Sequence, residues 1–205
     1  MTTLLGFVRQ LKRRAAHARD VSNHSKMKFE EIITDRTILR KLTQESFDYI
    51  YSDMSQDEQL AMLGITSVEA LLKEKEKYKA GLSTHNKKFL YHQLIDKKTN
   101  KIIGWCGFHT WYTDHNRAEI GYGLYDDDYK RKGIMSEAIA IIINYGFNNM
   151  NLERIEAFVS PSNTPSIKLL QRMKFKQEGL LKHHYFDGDK MDDSLVFALL
   201  KSEHT

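Results

Sequence analysis

Two glycines inside one strand-like run, followed closely by a basic glycine turn and a long apolar helix pattern, constrain this chain more than any other feature. The run is Glu119-Ile120-Gly121-Tyr122-Gly123-Leu124. The turn, Lys130-Arg131-Lys132-Gly133-Ile134-Met135-Ser136, opens a helix pattern that reaches about Asn149. Glycine weakens a strand, so its repetition points to a bulge or to close approach by another backbone. A helix start presents N–H groups that have no intrahelical partner. With a glycine and three cations beside them, these groups make a site for a phosphate-bearing ligand. A ligand with a peptide-like arm would lie beside the strand and pair with backbone near Gly123 and Leu124.

The remaining pattern supplies the frame. Arg36–Leu42 alternates as a strand, and Thr43 caps a helix to about Asp53. Thr66-Ser67-Val68-Glu69 predicts a capping box for a second helix to about Tyr78. Phe89–Asp96 and Lys101–Trp111 form a hairpin, and a further strand covers Arg117–Tyr125. After the central helix come a strand at Arg154–Ser160, a helix at Thr164–Met173, and strands at Phe175–Tyr185 and Met191–Leu200 joined across Asp187-Gly188. Strands and helices in this order predict one α+β domain with a central, mostly antiparallel sheet.

Charge separates the chain into two parts. Residues 1–27 carry +5 and the whole chain +4, leaving residues 28–205 at −1. The body is therefore not a basic nucleic-acid binder, and the high pI belongs to an N-terminal extension. Leu4, Phe7, Val8 and Leu11 fall at helical spacing within it. That spacing fits a surface-binding amphipathic helix, an Arg-rich transit peptide, or a poorly ordered lead-in before an internal start at Met27. The lone cysteine, Cys106, lies in an apolar run and reads as a buried thiol in a reducing, cytoplasmic setting. No histidine pair has metal-site spacing with a cysteine or carboxylate, so no metal is expected.

The segment from Ala118 to Gly179 resembles the acetyl-CoA-binding core of the GNAT acetyltransferases. Within that superfamily it is most similar to the RimJ/RimL-like ribosomal-protein N-terminal acetyltransferases. The resemblance implies a mixed sheet of about seven strands whose fourth and fifth strands splay apart around the coenzyme. It also implies that the pyrophosphate meets Lys130, Arg131, Lys132, Gly133, Ile134, Met135 and Ser136. Asn163, which reads equally well as a helix N-cap, would face the pantetheine arm, and Ser166 would serve the leaving thiolate. Three departures stand out. Lys130 replaces the usual Gln or Arg of the turn, and Met135 replaces a Gly or Ala. Leu170 occupies the place where many relatives carry a tyrosine.

Transfer to an amine requires a neutral nitrogen. An α-amine, with a reference pKa of about 7.7–8.0, is appreciably neutral near pH 7, whereas a lysine at about 10.4 is not. Glu119 and Tyr185 are the candidates for the proton acceptor, Tyr185 standing where relatives place a glutamate. Trp105 reads as core packing. The leading expectation is an acetyl-CoA-dependent transferase acting on a protein N-terminal α-amine, with the ribosome and a second copy of the chain among its partners. Small-amine acetylation and a degenerate coenzyme-binding module are the alternatives.

Overall fold

The computed structural model describes residues 27–79 and 87–204. Apart from Met27, the expected basic extension lies outside them. Among the described residues eight strands form one sheet: β1 (Glu31–Ile33), β2 (Thr37–Leu42), β3 (Lys87–Asp96), β4 (Ile102–Tyr112), β5 (Arg117–Leu124), β6 (Arg154–Val159), β7 (Lys176–Asp187) and β8 (Lys190–Leu200). Their order across the sheet is β1-β2-β3-β4-β5-β6-β8-β7. All neighbours run antiparallel except β5 and β6. The α+β expectation holds, with one strand more than expected. The addition is β1, a three-residue edge strand too short to show a period.

Within the same residues five α-helices accompany the sheet: α1 (Gln44–Asp53), α2 (Gln56–Leu63), α3 (Val68–Lys79), α4 (Ile134–Asn148) and α5 (Thr164–Arg172). Thr43 caps α1 as expected. The short α2 escaped the sequence reading, although its start is written in residue types: Ser55 and Glu58 form a reciprocal capping box. For α3 the expected cap moves by one residue. Ser67, not Thr66, accepts the backbone N–H of Ala70 at 3.2 Å.

The core lies between α4 and the sheet. Ile134, Ala138, Ile139, Ile142, Ile143, Gly146 and Phe147 make one buried stripe at helical spacing. The stripe joins Phe108 of β4, Ile120 of β5 and Ile155 of β6, and Leu170 of α5 belongs to the same cluster. Each fully buried Ile or Phe there contributes roughly 1.5–3 kcal/mol, which fixes the start of α4 against the sheet. Cys106 is fully buried, and burial pushes its thiol pKa up, as a structural thiol requires.

What the fold does for function is concentrated between β5 and β6. They pair only from Arg117 to Glu119 against Arg154 to Glu156. Beyond Glu119 that edge of β5 leaves its neighbour, while its other edge stays paired to β4 up to Leu124. The result is a wedge with an open backbone edge, its apex at Glu119. Among the described residues no helix is long and apolar enough to cross a membrane.

Candidate active site

The wide end of the wedge leads to the basic turn. Arg131 (φ 57°) and Gly133 (φ 76°) both adopt left-handed backbone, which curls the chain just ahead of α4. Gly133 is the N-cap of that helix. The first intrahelical bond runs from Glu137 N–H to Gly133 C=O at 3.1 Å, so the N–H groups of Ile134, Met135 and Ser136 precede it. Ile134 is buried and Met135 packs against the core, so both offer backbone rather than side chain to a ligand. The bulk of Met135 is thereby turned away from the phosphate path. Lys130 is already engaged by Asp127, whose carboxyl that contact holds below its usual range. Arg131 and Lys132 are exposed.

One residue at this end was expected only as the start of the first strand. Arg36, at the entry to β2, donates to the carbonyl of Lys132 at 2.6 Å and pairs with Glu137 at 2.7 Å. It ties the turn and the first turn of α4 to the far side of the chain. Burial raises the Glu137 carboxyl, but hydrogen bonds from Thr34 and Arg36 outweigh it and leave the group below its usual range. Arg172, at the end of α5, donates to Ser136 Oγ at 3.2 Å and bridges the two helices.

Midway along the wedge, the two strand glycines have a different cause from the one expected. The β4–β5 register is regular at both, with Gly107 opposite Gly121 and Trp105 opposite Gly123. A Cβ on Gly121 would lie 2.6 Å from His109 Cδ2 and 2.8 Å from Trp105 Cη2. On Gly123 it would lie 3.2 Å from Trp105 Nε1. Side chains of β4 fill this face, so Trp105 is not a core residue but a cover over β5. It stacks on Tyr91 at 5.0 Å with the ring planes 10° apart.

On the opposite face of β5, Tyr122 reaches α5. Its phenol oxygen lies 2.6 Å from Ser166 Oγ. Burial pushes the Tyr122 phenol up against the opposing effect of that hydrogen bond, so it stays protonated through the neutral range. Asn163 caps α5, its side-chain oxygen accepting the Ser166 N–H at 3.2 Å. At the apex, Glu119 approaches His109, with 3.3 Å between Oε1 and Nε2. Glu156, beside it on β6, is held by Arg117 at 2.6 Å and Arg154 at 2.7 Å. Tyr185 lies on the β7–β8 hairpin and donates to Asp192 at 3.1 Å. His183 and His184 do not simply alternate there. Three residues, 182–184, stand between the paired Leu181 and Tyr185, and His183 has φ 48°.

A family model described as an acetyltransferase (GNAT) domain matches residues 36–176. The chain belongs to the GNAT acetyltransferase family. It is 37% identical over 177 residues to the uncharacterised N-acetyltransferase p20 of Bacillus licheniformis, covering 85% of this chain and 98% of that one. The uncharacterised N-acetyltransferase YoaA of Bacillus subtilis is 31% identical over 174 residues, 84% of this chain and 98% of the other. Two solved structures share the fold. The ribosomal-protein-S5-alanine acetyltransferase of Vibrio fischeri superposes with a TM-score of 0.60 at 22% identity, covering 86% and 99% of the two chains. The spermidine/spermine N-acetyltransferase SpeG of Vibrio cholerae does so at 0.60 and 20%, covering 82% and 94%.

This GNAT chain is an N-acetyltransferase, and acetyl-CoA is the co-substrate of the family. The residues present fit that coenzyme. The left-handed turn and unshared helix N–H groups suit a pyrophosphate, and the unpaired edge of β5 suits an amide-bearing arm. At the apex the two faces of β5 differ in chemistry. One carries a protonated phenol and a hydroxyl, the other an imidazole and a carboxylate. Ser166 and Glu119 were candidates from sequence, whereas Tyr122, His109 and Arg36, which contact the site's elements, were not singled out. Tyr122 alone had a visible signal, since a tyrosine flanked by strand glycines is set in relief by its neighbours.

Proposed function

We propose that this enzyme acetylates a protein or peptide N-terminal α-amine, as the RimJ/RimL-like enzymes do, by direct attack within a ternary complex. The observation that carries the reading is the charge balance at the apex of the wedge. Glu156 is committed to two arginines, which leaves Glu119, beside His109, as the apex carboxylate facing an acceptor. A single amine suits one carboxylate. A polyamine brings further ammonium groups that call for further carboxylates.

In this reading the pyrophosphate sits on the backbone of Gly133 to Ser136, with Arg131, Lys132 and Lys130 around it. The arm pairs with β5 at Gly123 and Leu124 and passes Asn163. Ser166 donates a proton to the departing sulfur, and Tyr122 shares its own proton with Ser166. Tyr185 is too closely tied to Asp192 to take a leading part. The similarity to spermidine acetyltransferases supports a polyamine acceptor as the second reading. A cytoplasmic location, acceptors drawn from ribosomal proteins and self-association complete the proposal.

The test is mass spectrometry of products after incubation with acetyl-CoA and peptides beginning with alanine or serine, alongside spermidine. Acetylation of peptide α-amines is expected. Transfer to spermidine with none to the peptides overturns the α-amine reading.

A further inference from the structure

We propose that His109, working with Glu119, is the proton acceptor for the incoming amine. The proposal rests on the acetyl-transfer chemistry of the site, but not on which amine is acetylated.

His109 owes its position to an irregularity in β4. Phe108 pairs with Ile120 and Thr110 with Glu119, so His109 is an extra residue with no partner of its own across the β4–β5 ladder. A bulge of this kind bends the strand and re-aims a side chain, and bulges gather beside active sites. Here it swings the imidazole over Gly121, where a Cβ would lie 3.1 Å from Nε2. Gly121 is the second residue past the last β5–β6 pair, so the ring stands where the wedge opens. The side chain of His109 is 43% exposed and that of Glu119 21%, which leaves the ring accessible to an acceptor and its partner sheltered.

The hydrogen-bond geometry assigns the nitrogens. Nδ1 lies 3.2 Å from Thr110 Oγ1, a hydroxyl that can donate to it. Nε2 lies 3.3 Å from Glu119 Oε1, and a carboxylate only accepts, so Nε2 carries the hydrogen and Nδ1 keeps the lone pair. Glu119 holds that Nε2–H in place and stabilises the imidazolium formed when Nδ1 takes a proton. The other charges at the apex are Glu156 and its two partners, Arg117 and Arg154, whose mutual pairing leaves Glu119 as the carboxylate beside the ring.

The step balances without a further reactant. The amine nitrogen bonds to the acetyl carbonyl carbon and gives its proton to His109 Nδ1. The carbon–sulfur bond breaks with its electron pair on sulfur, and Ser166, from the other face of β5, supplies the proton that completes the thiol. Base and acid thus stand on opposite sides of one strand, one for the attacking nitrogen and one for the departing sulfur.

The experiment measures CoA release by the full chain against pH, with an alanine-initiated peptide and with spermidine as acceptors. Wild type is compared with His109→Gln and Glu119→Gln. Binding is checked by the melting shift with acetyl-CoA, which His109→Gln should retain. Near pH 7, His109→Gln should lower kcat/KM by about 10²-fold. The deficit should shrink as pH rises above the pKa of the acceptor amine, where the nucleophile arrives already neutral. Glu119→Gln should show a smaller loss with the same pH trend. An equal loss at every pH, or no loss, overturns the assignment. Wild-type activity that does not depend on His109 would leave acetyl transfer intact and remove only the dyad.

Discussion

Removing the Ser166 hydroxyl tests the acid side of the site, and the structure says how the result should combine with a second change. Ser166 Oγ and the Tyr122 phenol lie 2.6 Å apart, at the short end of O–H···O contacts. Tyr122 is held protonated by burial, so each oxygen carries a hydrogen and the pair can pass one along. Ser166→Ala removes the proposed proton donor and should lower turnover by about 10²-fold, or roughly 2.7 kcal/mol in the barrier. Tyr122→Phe keeps the ring in the core and removes only the oxygen. Its effect on folding should be a net hydrogen bond, about 0.5–1.5 kcal/mol, and its effect on turnover smaller than that of Ser166→Ala. If the pair acts as a unit, the double variant loses about as much turnover as Ser166→Ala alone. If the two act separately, the losses multiply. The assay is single-turnover CoA release, read by a thiol-reactive chromophore, with acetyl-CoA affinity measured in parallel. Multiplying losses refute the relay, and unchanged turnover in Ser166→Ala refutes a role for that hydroxyl in acid catalysis.

Two further outcomes follow from other parts of the molecule. Gly133→Val places a branched residue at φ 76°, which should cost at least about 1–2 kcal/mol, lower the melting temperature by about 2–8 °C, and reduce the stabilisation given by acetyl-CoA. A variant with an undiminished acetyl-CoA shift would remove this turn from the binding site. His92 is fully buried, neither ring nitrogen has a hydrogen-bond partner among the described residues, and burial, reinforced by Lys41, lowers its pKa from 6.5 to about 4. Between these values the unfolded chain binds a proton that the folded one refuses. Its contribution to stability is therefore complete above about pH 6.5 and falls by roughly 3 kcal/mol as pH drops to about 4. His92→Leu should flatten that limb in urea unfolding curves, and an unaltered slope would refute the assignment.

The sequence by itself was enough for features whose cause is local. The α4 stripe and the Asn163 cap follow from residues a few positions apart, because helix period and capping are short-range. Where local reading failed, the reason was also local. β1 is too brief to carry a period, and α2 has a clear start but little amphipathic pattern. The chemistry at the apex is another matter. Tyr122 meets Ser166 across 44 positions, and Arg36 reaches the turn before α4 across 96. Nothing in the residues near His109 announces a bulge, since that depends on how β4 keeps register with two neighbours at once. Glu119 and Glu156 are both strand carboxylates in sequence. Only the pairing of β5 with β6 sets them side by side, and only the two arginines decide which is neutralised. Secondary structure answers to neighbours along the chain, whereas a catalytic constellation answers to neighbours across the sheet, and those distances exist only once the strands have paired.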